Sequence, residues 1–484
     1  MTLEELCKLA PHQRITESAR DADGDSVFVC IRGVHADGHS FAGDAYRRGC
    51  RLFVAEQALP LPADAAVVTV PDTHTALAAL ACAHEGNPSR ELAVIGVTGT
   101  KGKTTVSLLL AHILNRCGVR CGYIGSNGID PGDGNTVAIP NTTPDAVTLQ
   151  RALRDMVRAG CRAVALEVSS QALKLGRVAG TTFDTCIFTN LFPDHIGPGE
   201  HPDFADYAAC KRQLFVDYPT QAVLCNIDDP FAATLLADTH APLRLTCSMH
   251  TDADFTAREV VRFRDAQALG CSFLLQEKGA APVACRLPLI GAENVSNALL
   301  AIACAAARFG ITSAAAAETL PDVRISGRSE TVRLPNGALC VIDYAHNGVS
   351  LRRLLTELRA SCTGRLIVLF GSVGERTKLR RRELGAVAAE LADLAVLTSD
   401  NPGCEDPAAI IRGIAAGMEG FPTPHLEIPD RAEAIRTAAG LLRPDDILVL
   451  AGKGHERYQL IGKEKRPFCE REILCDAMVA DRTP

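Results

Sequence analysis

The stretch LAVIGVTGTKGKTTVSLLL, from Leu92 to Leu110, decides the fold of this chain. It begins with an apolar, β-branched run from Leu92 to Val97 that is typical of a fully buried strand. A glycine turn, residues 98–102, is followed by a lysine, two threonines and an apolar helical stretch. This order of strand, turn and helix predicts a cradle for a nucleoside triphosphate.

The glycine turn and the two residues after it are of the types that hold polyphosphate. Gly99 and Gly102 let backbone N–H groups approach an anion, Lys103 supplies positive charge, and Thr104 offers a hydroxyl to Mg²⁺. The strict P-loop motif has a further glycine where this chain has Val97, so the match is to a shortened form. A glycine-rich turn with an incidental lysine is the alternative interpretation, and the complete order of elements argues against it.

The bulk composition is that of a soluble globular protein with several domains. At 484 residues the chain is too long for one ordinary core, and its length predicts about three domains. Hydrophobic residues make up 47% and charged residues 22%. A net charge of −7 argues against a broad nucleic-acid-binding surface, so the local basic clusters are expected to serve small anions.

The 19 cysteines are scattered through apolar runs, and no two have Cys-x-x-Cys spacing. This pattern favours free thiols over a zinc site or a thioredoxin-like motif. The N-terminus lacks the features of a signal peptide, and no apolar run is long enough to span a bilayer. The sequence therefore predicts a cytoplasmic enzyme that binds neither membrane nor nucleic acid.

Strands and helices alternate along the chain, which predicts an α/β fold of three domains. Residues 1–88 are expected to form a small α/β recognition domain. Residues 89–322 should form a central P-loop domain with a doubly wound, mainly parallel sheet. Residues 323–484 should form a C-terminal domain with a Rossmann-like sheet. We expect the active site in the cleft between the carboxyl edges of the two larger sheets.

Twelve clusters along the chain resemble the Mur ligase family, nearly end to end. They read, in order, TGTKGKTT, NTTPD, EVSSQAL, FTNLFPDHIG, CKRQLF, NIDD, GAENVSNAL, SGRSE, DYAHN, GERTK, SDNPGCEDP and AGKGHERYQ. The resemblance implies an ATP-dependent ligase that forms an amide in two steps. A carboxylate first takes the γ-phosphoryl group of ATP, and an amine then displaces phosphate from the acyl phosphate.

The same resemblance implies the cofactors and partners. These are ATP and Mg²⁺, the nucleotide-linked substrate UDP-N-acetylmuramoyl-L-alanyl-D-glutamate, and a free diamino acid, either L-lysine or meso-diaminopimelate. It further implies a monomer that acts in peptidoglycan synthesis, and hence in cell wall biogenesis, cell shape and cell division.

The family's functional residues can be carried over one by one. The implied catalytic residues are Lys103, Glu167, His195 and Lys211. The implied metal ligands are Thr104, Glu167, His195 and Lys211 as its carbamate. The implied ATP contacts are Gly99, Thr100, Lys101, Gly102, Lys103, Thr104, Thr105, Asn294, Asn297, Arg328, Asp343, His346 and Lys378.

The substrate contacts follow in the same way. Those implied for the muramoyl-dipeptide are Thr142, Thr143, Ser169 and Arg177, with Arg20 for the uridine diphosphate. Those implied for the incoming amino acid are Arg376, Asp400, Asn401, Gly452 and Glu456. For two of the residues carried over, a structural interpretation competes: His195 could cap a loop, and Asn297 could cap the start of a helix.

Three departures from the family pattern matter. Ala19 stands where a serine is common, and HIGPGEHPDF replaces the usual aspartate and Tyr-His-Gly. Enzymes that select diaminopimelate usually read Asp-Asn-Pro-Arg, whereas this chain has Gly403 in place of the arginine. L-lysine therefore gains weight, although Arg380, Arg381 or Arg382 could supply the missing charge.

Two alternatives stay open. One is another ligase of the superfamily, of the folylpolyglutamate or cyanophycin type, against which the clusters NTTPD, DNPG and GKGHE argue. The other is a non-catalytic nucleotide-binding protein, against which the four catalytic residues argue.

Overall fold

The structure is a computed structural model that describes residues 2–33, 36–197, 200–265, 268–375 and 378–480. Its N-terminal part contains α1 (Leu3–Leu9), β1 (Arg14–Thr16), β2 (Ser26–Val29), α2 (Ala42–Arg47), β3 (Leu52–Ala55), β4 (Ala66–Thr69) and α3 (Thr73–His84). The four strands form one sheet in the order β1-β2-β3-β4. All of its pairings are parallel.

The central part alternates strands and helices. Its elements are β5 (Ala93–Thr98), α4 (Lys103–Arg116), β6 (Cys121–Gly125), β7 (Gly128–Asp130), α5 (Ala146–Arg158), β8 (Ala163–Glu167), α6 (Ser170–Lys174), β9 (Thr185–Phe188), α7 (Phe204–Val216), β10 (Ala222–Asn226), α8 (Phe231–Asp238), β11 (Leu243–Ser248), β12 (Phe255–Arg264), β13 (Leu269–Glu277), β14 (Val283–Leu287), α9 (Ala292–Phe309) and α10 (Ser313–Thr319). The strands form a 10-stranded sheet in the order β14-β13-β12-β11-β10-β9-β5-β8-β6-β7.

The C-terminal part has the same alternation. Its elements are β15 (Glu330–Arg333), β16 (Leu339–Asp343), α11 (Gly348–Arg359), β17 (Leu366–Phe370), α12 (Leu379–Leu391), β18 (Leu394–Leu397), α13 (Pro407–Ala415), β19 (His425–Glu427), α14 (Arg431–Gly440), β20 (Ile447–Ala451), β21 (Tyr458–Ile461), β22 (Glu464–Pro467) and α15 (Glu470–Ala480). Six strands form a sheet in the order β15-β16-β20-β17-β18-β19, and β21 pairs with β22 in a hairpin.

The predicted α/β class with mainly parallel sheets is confirmed. In the central sheet β5 lies between β8 and β9 and runs parallel to both. In the C-terminal sheet β20 lies between β16 and β17, again parallel to both. Within each sheet, the carboxyl ends of these neighbouring strands therefore lie at one edge, where parallel α/β sheets bind ligands.

The chain divides into two compact units. The first comprises Met1–Thr256, Leu275–Ala281 and Ser296–Ala316, and the second comprises Ala257–Leu274, Pro282–Val295 and Ala317–Pro484. In the first unit, the apolar residues of β5, β8 and β9 are buried against α5 and α7. In the second, β16, β17 and β20 pack against α11 and α12 on one face and against α14 on the other. The domain boundaries after residues 88 and 322 stay predictions.

Two further expectations concern membranes and cysteines. Among the residues that the structure describes, no helix is both long enough and apolar enough to cross a membrane. All 19 cysteines are free thiols, as the scattered pattern predicted. Thirteen of them are buried.

Candidate functional site

The glycine turn connects β5 to α4 at the carboxyl edge of the central sheet. Gly102 caps α4 with a φ of 87°, and Gly99 has a φ of 151°. A Cβ on Gly99 would lie 1.9 Å from Oγ1 of Thr189, and one on Gly102 would lie 2.5 Å from Oδ1 of Asn297. Only glycine fits at these two positions, since a side chain would need both a left-handed backbone and space that is already occupied.

Two lysines converge on the carbonyl oxygens of this turn. Lys103 Nζ donates to the carbonyl of Gly99 at 2.9 Å and to that of Thr100 at 3.2 Å. Lys211, on α7, donates to the same Gly99 carbonyl at 2.9 Å and is only 1% exposed. Burial, with the nearby charge of Lys103, holds the pKa of Lys211 well below its ordinary value. The charged ammonium is therefore less favoured here than on an exposed lysine.

A buried carboxylate lies next to the turn. Glu167 is the last residue of β8 and is fully buried. Its Oε2 accepts from the Thr104 hydroxyl at 2.9 Å, and its Oε1 accepts from the Tyr123 hydroxyl at 2.6 Å. Ser126 donates to Oε1 through its backbone N–H at 2.9 Å. The structure thus brings together two of the predicted metal ligands, Glu167 and Thr104.

The loop after β9 holds the other side of the turn. Lys101 Nζ donates to Asp194 Oδ2 at 3.0 Å, and its backbone N–H donates to Asn190 Oδ1 at 2.9 Å. Burial pushes the pKa of Asp194 up, but the Lys101 ammonium and His195 outweigh it, so the net pKa lies below the ordinary value. His195 itself is 51% exposed, with Nδ1 3.2 Å from Glu200 Oε1. Within the described residues, no hydrogen bond or ion pair joins His195 to Glu167.

The residues predicted to hold the muramoyl-dipeptide form one connected group. The Thr143 hydroxyl donates to the backbone carbonyl of Glu167 at 2.8 Å and lies 3.3 Å from the Ser169 hydroxyl. Arg177 donates to the Thr143 carbonyl at 3.0 Å, and the Thr142 hydroxyl lies 3.0 Å from that of Ser126. This group is therefore continuous with the surroundings of Glu167.

A histidine in the departing stretch HIGPGEHPDF was not singled out from the sequence. His201 is fully buried, with Nε2 2.9 Å from the Ser170 hydroxyl and Nδ1 2.7 Å from Asp206 Oδ2. Lys174 donates to the same Asp206 oxygen at 2.8 Å. These contacts tie the start of α6, next to Ser169, to α7. His201 thus joins the two helices from within the stretch that departs from the family pattern, of which residues 198 and 199 lie outside the described residues.

The structure contradicts the interpretation of Asn297 as a cap at the start of a helix. The helix begins at Ala292, five residues before the predicted start, so Asn297 lies inside it and does not cap it. Asn297 is buried, and its side chain lies against Gly102 of the glycine turn. Asn294 donates from Nδ2 to the Ile290 carbonyl at 2.7 Å. Sequence alone could not show that a helix starting there reaches a turn almost 200 residues earlier.

In the second unit, three of the residues predicted to contact ATP lie near the end of β16: Arg328, Asp343 and His346. Asp343 accepts from the backbone N–H of Ser329 at 2.7 Å and from that of Ala345 at 2.9 Å. Burial raises the pKa of Asp343, and the charge of Arg328 opposes that shift. The Arg328 guanidinium lies 5.0 Å from the Tyr344 ring centroid, and His346 Nδ1 lies 2.8 Å from the Tyr344 carbonyl.

The residues predicted to bind the incoming amino acid surround a lysine that the sequence analysis did not single out. Lys453 is fully buried, and its Nζ donates to Asn401 Oδ1 and to Glu456 Oε2, both at 3.0 Å. Its Nζ also lies 3.6 Å from Asp400 Oδ1. Gly452 has a φ of 110°, and a Cβ there would lie 2.8 Å from Asp400 Oδ2. We call Asp400, Asn401, Lys453 and Glu456 the Lys453 cluster.

Gly403, the departure that bears on amino-acid choice, adopts a left-handed conformation with a φ of 60°. A Cβ there would lie 3.2 Å from Oε2 of Glu375. Of the arginines that could replace the missing charge, Arg381 is held by Glu405 through two bonds of 2.7 Å. That pairing, with a backbone N–H bond from Glu375, lowers the pKa of Glu405 to about 2.

The remaining predicted residues lie as follows. Thr105 is buried in α4, Lys378 is exposed just before α12, and Arg20 is exposed in the N-terminal part. Ala19 packs partly buried against the apolar residues of the N-terminal part. Arg376 lies outside the described residues.

Three family models together cover most of the chain. The model described as the Mur ligase family catalytic domain matches residues 14–85, and the Mur ligase middle domain matches residues 97–305. The Mur ligase glutamate ligase domain matches residues 327–454.

Curated relatives match over nearly their full length. The chain is 40% identical, over 468 residues, to a UDP-N-acetylmuramoyl-L-alanyl-D-glutamate–2,6-diaminopimelate ligase of Geobacillus kaustophilus, covering 94% of this chain and 92% of that protein. It is also 40% identical to the ligase of the same name from Chlorobaculum tepidum, covering 95% of this chain and 91% of that protein.

Solved structures agree on the fold. A structure of a ligase with the same name has a TM-score of 0.70 at 29% identity, covering 98% of this chain and 96% of that one. A folylpolyglutamate synthase from Mycobacterium tuberculosis has a TM-score of 0.60 at 20% identity but covers only 77% of this chain, and this likeness concerns the fold alone. The motifs, the ordered family domains and the near full-length relatives agree, and the chain belongs to the Mur ligase family.

Proposed function

We propose that this protein is the ATP-dependent ligase that adds the third amino acid of the peptidoglycan stem peptide to UDP-N-acetylmuramoyl-L-alanyl-D-glutamate. The substrates are that nucleotide-linked dipeptide, ATP and a free diamino acid. A cytoplasmic location and a part in cell shape and cell division belong to the same proposal. The relatives that carry this activity in their names support it across almost the whole chain.

The observation that carries the proposal is the buried Lys211 beside Lys103. A protein that only binds nucleotide needs one lysine on its phosphates, and a second buried amine next to the first is costly as a cation. The lowered pKa of Lys211 shifts it toward the neutral amine, and a neutral amine adds CO₂ and releases a proton to give a carbamate. The anion so formed would pair with Lys103 and could supply an oxygen ligand to a divalent cation.

The residues at the turn fit Mg²⁺. The Thr104 hydroxyl donates its only hydrogen to Glu167 and keeps its lone pairs for a cation. Thr104, Glu167 and the carbamate of Lys211 would hold the ion, with His195 as a further candidate ligand. When bound, Mg²⁺ supplies positive charge that reduces the repulsion between the phosphates and the attacking carboxylate.

The protein's own residues then serve two reactions. The D-glutamyl carboxylate oxygen bonds to the γ-phosphorus while the bond to the bridging oxygen of ADP breaks, and Lys103 offsets the charge on the phosphates. The amine of the amino acid next adds to the acyl carbon and loses a proton, and phosphate leaves with the C–O bonding pair. Arg177, Thr143 and Ser169 hold the dipeptide, and Asn401 and Glu456 hold the amino acid.

The choice of amino acid depends on the surroundings of Gly403. The relatives are named for diaminopimelate, whose distal carboxylate calls for a cation. Position 403 provides none, and Arg381 is already paired with Glu405. We therefore propose that this position does not select diaminopimelate over L-lysine.

One experiment tests the function and the amino acid together. The protein is incubated with ATP, MgCl₂, the UDP-muramoyl-dipeptide and an equimolar mixture of lysine, diaminopimelate and ornithine, and the product is identified by mass spectrometry. We expect ADP, phosphate and a UDP-muramoyl-tripeptide in equal amounts. Phosphate release with a folate and glutamate but not with the dipeptide would establish the folylpolyglutamate alternative. No ATP turnover with any acceptor would establish a non-catalytic protein.

A further inference from the structure

Lys453 is a buried ammonium with three polar side chains around it. Its Nζ contacts Asn401 Oδ1 and Glu456 Oε2 at 3.0 Å and Asp400 Oδ1 at 3.6 Å. Two of its three N–H donors are hydrogen-bonded to Asn401 and Glu456, and Asp400 lies close enough to attract its charge. Lys453 is fully buried. Both of its hydrogen bonds therefore lie within the protein.

These contacts fix the orientation of the Asn401 amide. Its Oδ1 accepts from Lys453 at 3.0 Å and from the backbone N–H of Leu460 at 2.9 Å. Both partners are donors, so the oxygen of the amide must face them and the NH₂ group must face the other way. That NH₂ group donates to Glu456 Oε2 at 2.9 Å. Asn401 and Glu456 thus have one arrangement as long as Lys453 is charged.

The same ammonium sets the charge of the cluster. Asp400 and Glu456 are two carboxylates that share Lys453, which leaves the Lys453 cluster with a net charge of −1. Such a site favours an ammonium group of a ligand over a carboxylate. Without Lys453 the two carboxylates would repel each other and the amide could turn over.

We propose that Lys453 is a positioning residue for the incoming amino acid, holding Asn401 and Glu456 in the geometry that receives an ammonium group of that substrate. This proposal rests on the proposed function and deepens it. Lys453 acts through its two neighbours.

The test compares Lys453→Met with Lys463→Met, an exposed lysine in the turn between β21 and β22. We expect Lys453→Met to raise the KM for the amino acid by about tenfold or more, since it removes hydrogen bonds to a charged group. The KM for ATP should stay unchanged, as should the exchange of label between ADP and ATP in the presence of the dipeptide and the absence of amino acid. Lys463→Met should behave as wild type.

A double-mutant cycle with Glu456→Gln separates positioning from a general effect on folding. If Lys453 acts through Glu456 and Asn401, the KM of the double variant for the amino acid rises by less than the product of the two single effects. The double variant also lacks one of the two carboxylates that share Lys453, which removes their mutual repulsion, so it can be measured even if Lys453→Met fails to fold.

Two results would overturn the inference: an unchanged KM for the amino acid in Lys453→Met, or a loss in the double variant equal to the two single losses combined. A wild type that forms no tripeptide would refute the proposed function itself. A ligating wild type with an indifferent Lys453 refutes only the positioning role.

Discussion

Lys211 is a buried side chain whose surroundings disfavour its charged ammonium form. The amine is 1% exposed and lies near Lys103, and its pKa is lowered by burial and by that neighbouring charge. In the proposed function, carbamylation would convert an unfavourable cation into an anion that Lys103 and Mg²⁺ could pair with.

The first prediction follows from that conversion. Lys211→Ala should lower the ligation rate about a hundredfold or more, because the anion that would hold the metal is lost. Added bicarbonate or a small carboxylate should restore part of the rate, measured as phosphate release. Lys278→Ala, at an exposed lysine, is the control and should keep full activity. Restoration by small amines instead would mean that Lys211 acts as a cation.

The second prediction concerns Gly403. Gly403→Arg should shift the ratio of kcat/KM values toward diaminopimelate by about tenfold or more, because arginine pairs bidentately with a carboxylate. The left-handed backbone makes any side chain at this position cost about 1 kcal/mol. Gly403→Gln carries the same strain without the charge and is the matched control. The prediction is contradicted if both variants shift the ratio equally.

A wild type that accepts only diaminopimelate would also contradict it. The positive charge would then have to come from another residue. Arg381 is already held by Glu405, so Arg380 and Arg382 would be the next to test, with Arg376, which lies outside the described residues.

At the scale of elements, the glycine turn is closed on two sides. Thr189, directly after β9, lies against Gly99, and Asn297 of α9 lies against Gly102. The distances for an added Cβ, 1.9 Å at Gly99 and 2.5 Å at Gly102, leave no space for a methyl group.

The third prediction uses this closure. Gly99→Ala should abolish detectable ATP binding in calorimetry, because the clash with Thr189 displaces the turn. Gly118→Ala, at the end of α4, is the control, since Gly118 also has a positive φ, 81°, but no atom within 4 Å of an added Cβ. It should cost about 1 kcal/mol of stability and leave ATP binding intact. Loss of ATP binding in both variants would mean that backbone strain, not the contact with β9, is responsible.

A buried ion pair joins α14 to α15. Arg431 donates to Glu470 Oε1 at 2.7 and 2.9 Å, and both side chains are buried. The guanidinium also donates to the backbone carbonyls of Ser399 and Ala451. These two residues directly precede Asp400 and Gly452 in the chain. The pair therefore holds the backbone under the Lys453 cluster.

The fourth prediction is that Glu470→Gln lowers the free energy of unfolding by about 3 kcal/mol or more, because it leaves the Arg431 charge buried without its partner. Denaturant unfolding measures the loss. Glu472→Gln, on the same helix but exposed, should change stability little. Equal stability of the two variants would show that the pair is dispensable.

The fifth prediction applies to the whole molecule and tests its packing. In the native protein a thiol reagent should label Cys404 and Cys475 first, because they are the two exposed cysteines, and the four half-buried ones slowly. The 13 buried thiols should react only in denaturant. Burial raises the pKa of Cys30, for example, to about 12. Rapid labelling of more than six thiols in the native protein would contradict the described burial.

The sequence predicted the features that depend on neighbours along the chain. The strand, turn and helix around Gly99 and Gly102 could be predicted because each step has a local signal. So could Glu167, which ends the apolar run Ala163 to Leu166, and the mainly parallel sheets.

Features that depend on distant partners could not be predicted. Lys453 meets Asn401, which lies 52 residues away, and Arg431 meets Glu470, 39 residues away. Nothing in a run such as AGKGHE shows that its lysine is buried, because burial is set by the whole sheet. The same applies to His201, whose partners Ser170 and Asp206 lie on two helices.

The ion pair between Arg431 and Glu470 also bears on how the protein becomes functional during synthesis. Domains form from the N-terminus as the ribosome proceeds, so the glycine turn can fold and bind nucleotide early. The amino-acid pocket lacks its backbone support until residue 470 has been translated. An unfinished chain should therefore be retained on an ATP affinity resin while being unable to recognise the amino acid, so that it forms no tripeptide until translation has passed α15.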